Sequence, residues 1–301
     1  MNSSPVLVVG GTGFVGGQVV RALQDRGKSV RALVRPASDA SRLETAGVEI
    51  APGDMMDFDS LMRAMEGVDA VVTTAAGYTR HSKGDTAEID VTGNRNLADA
   101  AARAGVHRFV LTSILTCDQT PDLPHFWHKK LMEDRLEQQQ VPFVALRPGA
   151  FLDGILRFGG DPFAKGRLSS FGSPGTRLTY VLTADVAAYL AAAVDADIAA
   201  GERIDIGWDR AVSMRDVADI SSKLLGRPIT VRSGPSGLMR TAGRVLGPVV
   251  PMARDMGSML AWFETGRYVA DTTRQAQVFG VPTAEDAIAR FITGLGHPLR
   301  A

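Results

Sequence analysis

The stretch VLVVGGTGFVGGQVV, residues 6–20, joins a short apolar run to Gly11-x-Gly13-x-x-Gly16 and passes at once into a helical pattern. Gly10 adds an overlapping spacing, Gly10-x-x-Gly13-x-x-Gly16. Glycine at these places permits a tight turn, brings backbone close to a pyrophosphate and lets the helix pack on its strand with its first amides facing the anion. The chemistry implied is dinucleotide binding. At the end of the second apolar run, ALVRPAS puts Arg35 where an acidic side chain would take the ribose hydroxyls of NAD. A guanidinium there suits the extra phosphate of NADP, with Ser38 and Arg42 near enough to assist, and a solvated surface arginine is the alternative. In APGDMMD, Asp54 either faces the adenine amine or caps the helix through Leu61. The expected cofactor-facing set is Gly10, Gly11, Thr12, Gly13, Phe14, Val15 and Gly16 in the first turn, Arg35, Asp54 and Met55, and Ala75 and Ala76 after the fourth apolar run.

The elements that must hold these residues alternate. Runs rich in Val, Ile and Leu (PVLVVG, SVRALVR, VEIAPGD, VDAVVTTAAG, HRFVLTSI, PFVALRPG) are separated by segments of helical period, giving six strands by residue 147. That rhythm predicts crossover units on a parallel sheet covered on both faces: an α/β, doubly wound architecture over residues 1–150. From about residue 150 Gly and Pro clusters loosen the pattern, and residues 151–301 are expected to form a smaller, mixed α/β substrate-binding and capping region packed closely on the first. Within it SMRDVADISSKLLGRP reads as an amphipathic helix with Ser213 as N-cap and Gly226 and Pro228 as stops. The stretch from Leu238 to Trp262 carries Met239, Met252, Met256 and Met259, an adaptable surface suited to an apolar ligand, to core packing or to a homodimer contact.

Thirty-three basic residues balance thirty-three acidic ones, so no global field draws the chain to nucleic acid or membrane. A single cysteine, Cys117, cannot form an internal disulfide and reads as a small buried thiol rather than a nucleophile. No His, Cys and carboxylate grouping has metal-ligand spacing, and no Gly-x-Ser-x-Gly elbow points to a hydrolase. The apolar run begins after five residues without a secretory leader, and nothing reaches membrane-spanning length; a cytoplasmic location is the expectation.

The glycine pattern, VRALVRP, GDMMD, NRNLADAAARAGVHRFVLTSI, KKLMEDRLEQQQVPFVALRPGAF and TYVLTADVAAYL, in this order, resemble the NmrA-like group of atypical short-chain dehydrogenases, from Val6 to about Pro228. The resemblance implies a Rossmann-like fold and a site built from Ser, Tyr and Lys, the last two on one helix face at a spacing of four. Aligning Glu133 and Leu136 with the family's acidic and leucine positions places the lysine at Lys129, with Lys130 as the neighbour one register away, and the serine at Ser113. The tyrosine position is then His125. Four residues apart on a helix, His125 and Lys129 share a face. The ammonium would hold the nicotinamide ribose and add charge near the substrate oxygen. Imidazole, with an unperturbed pKa of about 6.5, could replace the phenol as proton donor, or simply begin a helix after Pro124. His81 and Tyr78, after the fourth strand, are further proton-donor candidates, and His107 and His297 read as surface residues.

Two functions compete. One is an NADP(H)-dependent oxidoreductase acting on a small or medium apolar carbonyl, quinone or conjugated alkene, with NAD(H) the less suited cofactor. The other, favoured by the missing tyrosine, is a non-catalytic regulatory or assembly protein that senses NADP(H), as some NmrA-like relatives do.

Overall fold

Three of the apolar runs become strands with every side chain buried: β1 (Val6–Val9), β4 (Ala70–Thr73) and β6 (Phe143–Pro148). Strands read this way only when both sheet faces are covered. The structure is a computed structural model that describes residues 4–77, 87–170, 172–233 and 251–300. With β2 (Val30–Val34), β3 (Glu49–Pro52) and β5 (Arg108–Thr112) these strands pair in parallel, in the order β3-β2-β1-β4-β5-β6. The six strands expected by residue 147 are thus present, in a Rossmann-like α/β sheet.

Strand order reverses between β1 and its neighbours β2 and β4, which opens a crevice at the carboxyl ends of these strands. Helices α1 (Phe14–Asp25), α2 (Ser41–Thr45), α3 (Phe58–Ala64), α4 (Asn94–Ala104) and α5 (Pro124–Gln138) connect the strands. One core gathers Leu7, Leu61, Leu97, Phe109, Leu111, Leu136 and Phe143. Between residue 87 and α4 the chain forms a π-helical turn, Glu88–Gly93.

The first compact unit is made of two stretches of chain. It comprises Met1–Arg147 together with Ala184–Ile204, because the chain returns after residue 183. Most of the returning helix (Thr183–Ala192) and the start of a seventh strand (Glu202–Ile206), hydrogen-bonded beside β6, belong to this unit.

The second unit, Pro148–Thr183 and Asp205–Ala301, carries short two-stranded pairs and helices. The helix Met214–Leu225 begins with a capping box in which Ser213 and Asp216 bond reciprocally, and it ends at Gly226 with φ 66°, as its sequence predicts. Its helix Pro251–Glu264 carries Met252, Met256 and Met259, the last two half-buried, while Met239 lies outside the described residues.

Candidate functional site

The glycine turn shows which spacing operates. Gly10 has φ +90°, a conformation that side chains resist, and a Cβ on Gly16 would lie 2.1 Å from the Gly10 carbonyl oxygen. A Cβ on Gly11 would meet only ordinary contacts from 3.5 Å outward. The working triplet is therefore Gly10-x-x-Gly13-x-x-Gly16, with Gly13 as the N-cap of α1. No side chain caps that helix, so its first amides are available to an anion.

Beside this turn lies a cavity of about 230 Å³ at the carboxyl ends of β1 to β4. Gly10, Thr12, Gly13, Arg35, Asp54, Met55, Ala75 and Ala76 line it, as does Ser38. Gly11, Phe14, Val15, Gly16 and Arg42 are not among its lining residues; Phe14 is half exposed and Arg42 is exposed. Sequence reasoning missed Val9, Leu33, Gly53 and Thr74, which also line it. Each lies within one residue of the carboxyl end of a strand, so counting to the strand ends would have found them. Ile89, from the π-helical turn, is a fifth such residue and had no local signal.

Arg35 is half-buried at the end of β2 and makes no ion pair or side-chain hydrogen bond among the described residues. Asp54 accepts from the Met56 amide at 3.0 Å through Oδ1. It does not cap the helix through Leu61: that cap is Asp57, which accepts from the amides of Asp59 and Ser60 at 3.1 and 3.2 Å. Asp57 immediately precedes the helix, so its carboxylate reaches the orphan amides of the first turn and Asp54 does not.

On α5 the buried positions are Phe126, Lys129, Met132, Glu133 and Leu136, a stripe of i+3 and i+4 steps. Lys129 thus sits in the core face, 5 % exposed; it is not among the cavity's lining residues, but its Nζ donates at 3.0 Å to the carbonyl of Ala75, which is. Burial lowers its pKa, opposed by the charge of Asp90. Lys130 turns outward to pair with Asp134 one turn on.

Ser113 is committed elsewhere. Its Oγ donates to Glu133 Oε1 at 2.6 Å, and Glu133 is wholly buried. The same carboxylate accepts from Arg147 at 3.0 and 2.6 Å and from Arg203 at 3.0 Å. Ser113 does not line the cavity. Cys117 lies in the same buried cluster, and desolvation raises its pKa to about 12, so it is a neutral, unreactive thiol.

His125 precedes Lys129 by one turn. Its ring is half-buried with Nδ1 sealed from solvent, and desolvation lowers its pKa to about 4, only partly countered by Asp90 and reinforced by the charges of Lys129 and His128. It is neutral near pH 7, so the structure opposes an imidazolium proton donor. His107 is exposed and bonds Asp69 at 2.7 Å, whereas His297, expected at the surface, is half-buried on Asp161, also at 2.7 Å. His81 and Tyr78 lie outside the described residues.

A stability effect follows from His125. Above pH 6.5 the imidazole is neutral whether the chain is folded or unfolded; as pH falls toward 4 the unfolded chain takes up a proton that the folded chain resists, so folding weakens across that window. His125→Gln should remove on the order of 2 kcal/mol of that loss. Urea unfolding of both proteins at about pH 7 and about pH 4.5 measures it, and equal acid sensitivity in the two would contradict it.

Among the described residues no helix is long and apolar enough to cross a membrane. The sequence model of the NmrA-like family matches residues 2–283. The chain is 28% identical over 235 residues to the Photosystem II assembly factor Ycf39 of Synechocystis sp., covering 78% of this chain and 72% of that protein. It is 29% identical over 226 residues to an NAD(P)H azoreductase of Xenophilus azovorans, covering 74% and 75%. Among solved structures, the NADPH-dependent quinone oxidoreductase QOR2 of Escherichia coli, complexed with NADPH, superposes with a TM-score of 0.76 at 21% identity, over 97% of this chain and 99% of that one. At that identity the likeness is one of fold.

Proposed function

The chain belongs to the NmrA-like family, and from that premise we propose that it is an NADP(H)-dependent reductase of a small or medium apolar carbonyl, quinone or conjugated alkene. The observation that carries this reading is the buried ammonium of Lys129 beside a cavity lined by the half-buried Arg35, which has no ion pair among the described residues. Keeping an ammonium 5 % exposed costs folding free energy, which supports a use for its charge at the adjoining cavity. The azoreductase relative, 29% identical over 226 residues, supports the same reaction class.

The residues present fit the cofactor. Gly10 and Gly16 leave no room for side chains where backbone must approach a pyrophosphate, and Arg35 with Ser38 would hold the ribose phosphate that distinguishes NADP. When bound, NADPH supplies the hydride. Lys129 has three donors and gives one to Ala75, which lines the cavity; the other two would serve a ribose hydroxyl and the substrate heteroatom that gains negative charge. Burial makes this ammonium a stronger acid than a solvated lysine, so Lys129 is the better-placed proton source, and His125 stays neutral beside it. Ser113, held by Glu133, steadies the end of β5.

Arg35→Ala should weaken NADPH binding about 10- to 100-fold, the loss of one or two charge-assisted hydrogen bonds, and leave NADH nearly unchanged. Calorimetric titration with each cofactor measures this. Equal losses for both would remove Arg35 from phosphate recognition.

The resemblance to the Photosystem II assembly factor favours a second reading, a protein that binds NADP(H) and transmits occupancy to a partner. Its mark is cofactor-dependent partner binding without turnover of any acceptor.

A further inference from the structure

Two side chains from different elements grip the tripeptide Ala75–Gly77, whose first two residues line the cofactor cavity. Lys129 of α5 takes the Ala75 carbonyl at 3.0 Å. Asp90 of the π-helical turn takes the Gly77 amide at 2.8 Å through Oδ1. Asp90 is 1 % exposed, and its second oxygen, Oδ2, is buried with no hydrogen-bond partner among the described residues. A carboxylate so enclosed needs a nearby cation. Segments with i+5 bonding are rare and concentrate at functional sites, and here the wide turn puts Ile89 on the cavity wall while the next residue is buried. α5 packs directly against that turn.

We propose that Asp90 is a positioning residue of the reductase site: fixed to Gly77 through one oxygen, its carboxylate is the counter-charge that holds Lys129 as an ammonium at the Ala75–Gly77 segment. The role in turnover rests on the reductase reading; the pairing itself does not. Among the described residues the groups acting on Lys129 are Asp90 and Cys117, and those acting on His125 are Asp90, Lys129 and His128, so Asp90 is the carboxylate common to both, acting across the shared segment rather than through a direct ion pair. Cys117, a neutral thiol near pH 7, contributes no charge there. The opposed grips explain why the charges sit where they do: one pulls on a carbonyl and the other on an amide two residues along, fixing the wall as well as each other. Without the carboxylate, burial acts on Lys129 against the Ala75 hydrogen bond alone, and the ammonium loses its proton at lower pH.

The test uses the full chain without cofactor. Asp90→Asn keeps the shape and the Gly77 bond while removing the charge, and lysine side-chain NMR follows the titration of Lys129. Its midpoint should move down by about one pH unit or more, and, with NADPH and a quinone, kcat should fall about tenfold with its alkaline limb displaced the same way. An unmoved midpoint would overturn the proposal. Should Asp90→Asn fold poorly, Lys129→Met strands the carboxylate, and adding Asp90→Asn to it should recover stability; simple addition of the two losses would overturn the pairing. Both the titration and the stability cycle need no substrate. If they hold and no acceptor is reduced, the reductase reading falls and the pairing stands; if turnover is seen and the midpoint does not move, the pairing alone falls.

Discussion

Replacing Glu133 with alanine destabilises the first unit by about 3–5 kcal/mol, the largest stability loss expected of any single substitution discussed. Glu133 is wholly buried and its two oxygens accept from Ser113, Arg147 and Arg203. Arg147 is also buried and continues to Asp118 at 2.8 Å, and Arg203 continues to Glu137 at 2.7 Å while lying 5.2 Å over the Phe143 ring. One carboxylate therefore joins the end of β5, α5, β6 and the seventh strand. Burial alone would lower the Arg147 pKa, yet its bond to Glu133 and the charge of that group raise it, which shows how strongly the pair is coupled. Truncation leaves two guanidinium groups without their common partner, and Arg147 has almost no water to replace it. Urea unfolding of wild type and variant measures the loss; a change below about 1 kcal/mol would mean that the arginines re-pair with Asp118 and Glu137 at little cost.

Lys129→Met abolishes most turnover. The substitution conserves length and apolar stem but removes the charge that, on the reductase reading, would face the developing anion, so NADPH-dependent reduction should fall at least about tenfold, in kcat rather than in KM for the acceptor. Because burial lowers the Lys129 pKa, the wild-type rate should decline on the alkaline side, at a pH below the ordinary lysine value of 10.5. The sign is fixed by the active form being the protonated one. His125 titrates near 4, so no limb should appear around pH 6.5. A pH–rate profile with an acid limb near 6.5, or an undiminished rate in Lys129→Met, would take the proton from another group.

The parts of this fold legible in the sequence are those that rest on local pattern. Continuous apolar runs such as VLVV and FVALRP announce doubly covered strands, and Ser213 with Gly226 bounds its helix because caps are local chemistry. The burial of Lys129 could be read from its i+3 and i+4 spacing to Phe126, Met132 and Glu133. Arg35 and the three glycines were legible for the same reason, since a turn after a strand constrains the residues within it.

What escaped depends on contacts distant in sequence. Ser113 looked available for a substrate because nothing nearby shows that Glu133, twenty residues on, takes its hydroxyl, or that Arg203 closes the cluster from seventy residues beyond Glu133. The return of Ala184–Ile204 to the first unit has no local mark either, since the apolar pattern gives a strand but not its neighbour. Asp90 was missed because a π-helical turn has no sequence signature and the Gly77 amide that it holds lies thirteen residues earlier. Asp54 was a choice between two nearby roles, and the structure resolves the capping alternative by giving that place to Asp57.

The central claim, a site that binds NADP(H) and passes its hydride onward, is tested most directly by the rate of NADPH oxidation with and without added quinones, azo dyes and conjugated enones. The account predicts oxidation that requires an acceptor and is faster with NADPH than with NADH. Firm NADPH binding with no acceptor-dependent oxidation across the panel would contradict it.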